Sequence, residues 1–272
     1  MFKSLTQFKN ISLRIRLTWL AFSILSSSSS FGFSLPKFDR ADLTEATQTL
    51  GFGTSNRFLS NPFPLGGYSG LEVGYTYESI DIEDLYFLSS NTTTDEDTLN
   101  FSRLVFGKGL FGDVDLFLNF TPFSRDPSIN EYGASLKWNF YQAKFIPFSL
   151  SLLGSFNTIN IQDDYTNETL GADLIGGINV ENFAIYFGGG LITASSSFAK
   201  NILNYCTAVN TPTGCDDSFG TIGASDPLTV KKREKDSHSF VGFQFNFSSF
   251  FISAQIDRYT NPVYSLKIGY RE

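Results

Sequence analysis

The chain has 272 residues, with 20 Lys and Arg against 27 Asp and Glu for a formal charge of −7, and only 17% of its residues are charged. An acidic balance without a long basic stripe excludes a nucleic-acid-binding face. Low charge combined with 42% hydrophobic residues excludes intrinsic disorder. Phe supplies 30 residues and Tyr 12, beside one His, one Met and two Cys, which suits a β-rich chain with one face against apolar surroundings.

Residues 1–30 read as a signal peptide. Lys3, Lys9, Arg14 and Arg16 are the only charges there, followed by the apolar run LTWLAFSIL at 17–25 and a serine run. About nine apolar residues are too few to cross a ~30 Å hydrocarbon core as a helix. Losing four positive charges takes the formal balance from −7 to −11. Residues 31–68 form a separate N-terminal segment, periplasmic or acting as a plug. Within it, Asp42-Leu43-Thr44-Glu45 has capping-box spacing and Gly51 stands where a short helix would close. The NPFPLGG stretch at 61–67 then breaks regular structure.

From residue 69 onward the pattern has a period of two. Leu71, Val73, Tyr75 and Tyr77 alternate with Glu72, Gly74, Thr76 and Glu78. Val114, Leu116, Leu118 and Phe120 alternate with Asp115 and Asn119, and Leu136, Trp138 and Phe140 with Lys137 and Asn139. The same alternation recurs at 148–157, 241–248 and 264–271, and predicts about ten strands: 69–80, 99–109, 113–123, 131–141, 146–160, 168–180, 182–196, 237–247, 250–260 and 263–271. Arg103 disturbs the second by falling among its apolar set. Short connections alternate with longer polar ones at 81–98, 124–130, 161–167 and 197–236.

The signal peptide, the dyad repeat FVGFQFNF at 240–247, the loop alternation and the closing strand YSLKIGY at 264–270 together resemble a small bacterial outer-membrane β-barrel. The resemblance covers residues 69–272 and implies an antiparallel up-and-down transmembrane barrel in a Gram-negative outer membrane. Its partners would be outer-membrane lipids, lipopolysaccharide and the barrel-assembly machinery, with no cofactor. Such chains usually finish on Phe, whereas this one ends Tyr270-Arg271-Glu272. A soluble β-sandwich or jelly roll also alternates and is the competing architecture.

If the apolar face meets lipid, the other face shares a narrow interior. Glu72, Asp115, Asp173 and Asp257 then pair with Lys137 and Lys267, supported by Asn119, Asn139 and Gln244. Cys206 and Cys215, with eight residues between them, read as a disulfide in an oxidising compartment, worth roughly 2–3 kcal/mol by loop entropy. The basic run KKREK at 231–235 lies in the longest connection, where lipopolysaccharide phosphates are its candidate partners. His238, the only histidine, follows Asp236 in an Asp-x-His that resembles the catalytic pair of omptin proteases; Asp81 and Glu83 would supply the acid pair of those enzymes. No other nucleophile triad, phosphate loop or metal-ligand spacing is present. The leading function is therefore a non-enzymatic outer-membrane barrel, structural, surface-recognising or a narrow pore. An outer-membrane hydrolase and a small-solute or lipid conduit are the alternatives.

Overall fold

The computed structural model describes residues 42–87, 98–121, 129–199 and 229–272. The signal-peptide reading and the Cys206–Cys215 pairing lie outside the described residues. Ten strands follow in order: β1 Leu71–Asp81, β2 Thr98–Gly109, β3 Val114–Phe120, β4 Ile129–Gln142 and β5 Phe148–Ile161. They continue as β6 Tyr165–Val180, β7 Phe183–Ala199, β8 Thr229–Phe247, β9 Phe250–Arg258 and β10 Pro262–Arg271. Each pairs antiparallel with its sequence neighbour, and β1 pairs with β10 from Glu72↔Arg271 to Ile80↔Val263, so the barrel is closed. Closure leaves no unpaired sheet edge around the wall below the rim.

Side-chain alternation sorts by size and polarity. Tyr77, Leu118, Leu136, Trp138, Leu152, Leu174, Ile185, Phe243, Ile256 and Ile268 are exposed on the outside, while Glu72, Asp115, Lys137, Ser151, Asn157 and Gln244 are buried inside. Arg103 belongs to the inward set too. The apolar residues beside it, Leu99 and Phe101, point inward because they pack against the N-terminal segment at one barrel end.

Two connections differ from the sequence expectation. Between β5 and β6 the stretch expected to be a long loop is a tight turn at 162–164, with Gln162 (φ 56°) and Asp163 (φ 58°) in the left-handed region. Asn160 clasps it, its Oδ1 accepting from Asp163 N at 3.0 Å. The eighth strand begins at Thr229 rather than 237, so the KKREK run is strand, not loop. Its charges conceal the alternation, and its partners are polar: Ser197 opposite Lys231 and Ser195 opposite Arg233. The short connections 110–113, 143–147, 181–182 and 248–249 share one end of the barrel, and the remaining connections share the other.

Residues 43–65 occupy the interior. Helix α1 (Leu43–Ala46) runs on as a wider π-type turn through Phe52, so Gly51 does not close it, and Asp42 makes no side-chain cap. This segment stays wound because it is packed: Leu43, Ala46, Leu50 and Phe52 are buried against Ile80, Ile161, Tyr165, Phe198 and Tyr259 at the long-connection end. The chain then descends, and at Gly66 (φ 102°) and Gly67 (φ 69°) it turns into β1, a left-handed path that suits glycine. A short helix α2 (Glu83–Phe87) follows β1.

Candidate functional site

The barrel interior is a polar packing between wall and N-terminal segment. Backbone groups of residues 51–65 would be buried without water, so inward side chains satisfy them. Arg103 Nη2 donates to the carbonyls of Thr54 (2.8 Å) and Ser55 (2.9 Å). Asn157 Nδ2 donates to Thr54 O at 3.0 Å and Asn167 Nδ2 to Gly51 O at 3.0 Å. Lower down, Ser151 and Asn139 both donate to Pro62 O, Lys137 Nζ donates to Phe63 O, and the Leu65 amide donates to Asp115 at 3.1 Å. Gln244 accepts from the Asn61 amide at 3.3 Å.

The charges form three knots. At the upper one, Glu78 accepts from both Arg57 and Arg103; Arg103 Nε also donates to Glu131 at 2.6 Å, and Arg57 Nε lies 3.7 Å from Asp257. Lower down, Lys137 Nζ sits 3.0 Å from Asp115. At the short-turn end Glu72 accepts from Lys267 (2.5 Å) and from Arg271 Nε (2.9 Å). Among the described residues the barrel thus gathers six carboxylates, Glu72, Glu78, Asp115, Glu131, Asp173 and Asp257, against Arg57, Arg103, Lys137, Lys267 and Arg271. The remaining acid, Asp173, meets His238 Nε2 at 2.6 Å. Such pairing is what makes buried charge tolerable.

Asp173 and His238 stand on strands that are not adjacent. Asp173 is opposite Gly190, and Gly190 is opposite His238. A Cβ at 190 would lie 2.2 Å from Asp173 Oδ1, so the bare glycine lets the carboxylate reach across β7. The imidazole stacks on Tyr259 at 4.6 Å and 7°. Burial pushes the Tyr259 phenol up, and it shares a hydrogen bond with Ser55 Oγ at 3.2 Å.

Of the sequence candidates, the structure brings together Asp115 with Lys137, Glu72 with Lys267, and Asp173 with His238. It does not bring Asp236 to His238; Asp236 Oδ1 accepts from the Ser237 amide. Asp81 Oδ1 accepts from the Glu83 amide at the start of α2. Arg57, Glu78 and Glu131 were not singled out. Glu78 and Glu131 sit at inward strand positions, a visible signal, whereas Arg57 lies in a segment with no periodicity.

No curated protein matches the sequence. Among solved structures, the N-terminal β-barrel domain of Pseudomonas aeruginosa OprF is similar at 13% identity, covering 76% of this chain and 99% of that one with a TM-score of 0.34. Ail of Yersinia pestis, in complex with a heparin analogue, shows 13% identity over 75% and 97% with a TM-score of 0.29. OmpTdeltaL8, a loop deletion mutant of an outer membrane protein of Vibrio cholerae, shows 7% identity over 87% and 74% with a TM-score of 0.30. A family profile matches residues 92–271, and the chain belongs to that family, a family of unknown function (DUF6588).

Proposed function

We propose that the protein is a sealed β-barrel of a Gram-negative outer membrane, acting in a structural or surface-recognition role and neither conducting solute freely nor catalysing a reaction. The observation that carries the reading is the filled interior. Inward side chains hydrogen-bond the backbone of the threaded segment from Gly51 to Leu65, and an interior cavity between Asn56, Phe58, Asn119 and Lys267 is about 10 Å³, room for a single water. About eight strands give an interior that side chains alone fill; with ten, the added room is taken by the threaded segment. The exposed apolar wall supports the membrane setting, with the long connections on the outer side. The closing strand, with its alternating bulky residues, is the part the assembly machinery would read.

Planar-bilayer recording tests this. The intact protein is expected to be nearly silent, with any residual leak small and cation-selective. Replacing residues 43–65 with a Gly/Ser linker should produce steady open channels. Large, stable, anion-selective steps from the intact chain would overturn the reading.

The hydrolase alternative has one supporting contact, the imidazole of His238 on the Asp173 carboxylate. Peptidase and lipid-hydrolase assays on the intact protein and on His238→Ala separate the two readings, since an activity lost with the imidazole would make this an enzyme.

A further inference from the structure

The outer wall over β8 and β9 has two features that the sealed interior does not use. The first is a dent. In the row Phe243, Ala254, Leu266, Tyr77, running across β8, β9, β10 and β1, Ala254 is the only small side chain. Above it lies the row Val241, Ile256, Tyr264, Ser79. Together they line an apolar groove of about 480 Å³ on the outer surface.

The second feature is charge directly above that groove. Arg258 follows Ile256 at the next outward position of β9 and is exposed. On β8 the outward positions above Val241 are Ser239, Ser237, Lys235, Arg233 and Lys231, and all three basic residues are exposed. Ser239 is opposite Arg258, and from Ser237 upward β8 is paired only with β7. Successive outward residues are ~7 Å apart, so Lys235 and Arg258 are separated by roughly one long side chain's reach in each direction. The other face of β8 is different in kind: Lys232 there is paired with Glu234 at 3.3 Å. Among the described residues, the nearest acids sharing the outward face, Glu168 on β6 and Asp81 on β1, each stand two strands away, about 10 Å.

We infer that this wall binds a phosphorylated, acylated glycolipid of the outer leaflet, with an acyl chain in the groove at Ala254 and a phosphate held between Arg258 and Lys235, Arg233 adding its charge one outward step further up β8. The inference rests on the membrane reading above and adds a specific lipid site to it. The groove takes hydrocarbon only, since its outward lining is apolar apart from Ser79 and the Tyr hydroxyls. The cations lie at the level where the apolar wall ends, which is where lipid phosphates sit, and guanidinium suits phosphate by paired donation. A soluble polyanion would need the cations but not the groove; the glycolipid needs both.

Native mass spectrometry of the full chain in detergent provides the test, with diphosphorylated lipid A and its dephosphorylated form as probes. The diphosphorylated lipid should bind, and removal of its phosphates should weaken binding at least about tenfold. The triple variant Arg233→Ala, Lys235→Ala, Arg258→Ala should lose a similar factor or more, about one order of magnitude per one to two cations. Ala254→Trp, which fills the groove from the lipid side, should weaken binding of the lipid without changing binding of a soluble polysulfate. Equal binding of both lipids, or binding unaffected by either variant, would overturn the site. So would a polysulfate that binds while the lipid does not. Insertion into bilayers is measured on the same preparation: a chain that inserts but shows no preference overturns the site alone, and a chain that does not insert overturns the membrane reading beneath it.

Discussion

Glu78 illustrates how single residues hold the interior together. One carboxylate oxygen accepts from Arg57 of the threaded segment and the other from Arg103 of the wall, both fully buried. Arg57 also donates to the carbonyls of Phe52 and Gly53, closing the turn that starts the descent. Arg57→Ala would leave Glu78 with one partner and Asp257 without its nearest guanidinium. Breaking a buried pair from one side costs about 3–5 kcal/mol. The variant is therefore expected to unfold at a clearly lower temperature, read as the loss of heat-resistant gel mobility, and to leak ions in bilayers where the parent is silent. An unchanged melting point would mean that the segment contributes little to closure. Gly190 makes a subtler demand. Gly190→Val would place a branched side chain 2.2 Å from the Asp173 oxygen and 2.0 Å from the Ala172 carbonyl oxygen. It should separate Asp173 from His238, visible as a shifted imidazole resonance, while Gly154→Val, with nothing near its Cβ position, should leave that resonance in place.

At the scale of elements, the direction of the N-terminal segment is informative. Leu43 and Ala46 pack with Tyr165, Phe198 and Val263, which lie where the long connections meet the barrel, and the chain reaches the short-turn end only at Gly66 and Gly67. Asp42 is thus delivered to the long-connection end. An epitope inserted immediately before Asp42 should be reached by antibody on intact cells, and one inserted in the 143–147 turn should not; the reverse pattern would invert the assigned orientation. Much of this architecture was legible in the sequence, because a period of two survives wherever one face is apolar and the other polar. That period alone puts Asp115, Lys137, Glu72 and Lys267 on the interior face, with no knowledge of register required. Arg57 was not legible, since residues 53–65 are ordered by hydrogen bonds to the wall and follow no repeat of their own. The Asp173–His238 contact depends on cross-strand register over Gly190, and alternation along one strand carries no such information. The start of β8 was hidden for a third reason. There the strand rises beyond the apolar wall, so both of its faces are polar and the contrast that reveals a period is lost.

For the molecule as a whole, the decisive feature is which side of the wall is oily. On β6 the outward apolar positions run from Leu170 to Val180. Ten residues at ~3.3 Å each, tilted by ~40°, cover a height of about 25 Å, the thickness of the apolar band of outer-membrane barrels. Aromatic residues gather at its margins: Trp138, Phe140, Tyr141, Phe247 and Phe250 towards the short turns, Tyr132 and Tyr264 towards the long connections, all exposed. That is the placement expected of amphipathic rings at two lipid–water boundaries. Leu174 sits near mid-height of the band and is 50% exposed with no packing role inside. The two environments assign opposite consequences to Leu174→Arg. In a barrel surrounded by water, a charge at an exposed position would change stability by no more than about 0.5 kcal/mol and would improve solubility. In a bilayer the same change should cost about 2–4 kcal/mol, while Glu168→Arg, above the band on the same strand, should cost roughly 0–1. Folding equilibria in lipid vesicles measure the difference directly. Equal, small effects at both positions, together with a chain that stays monodisperse without detergent, would remove the membrane assignment.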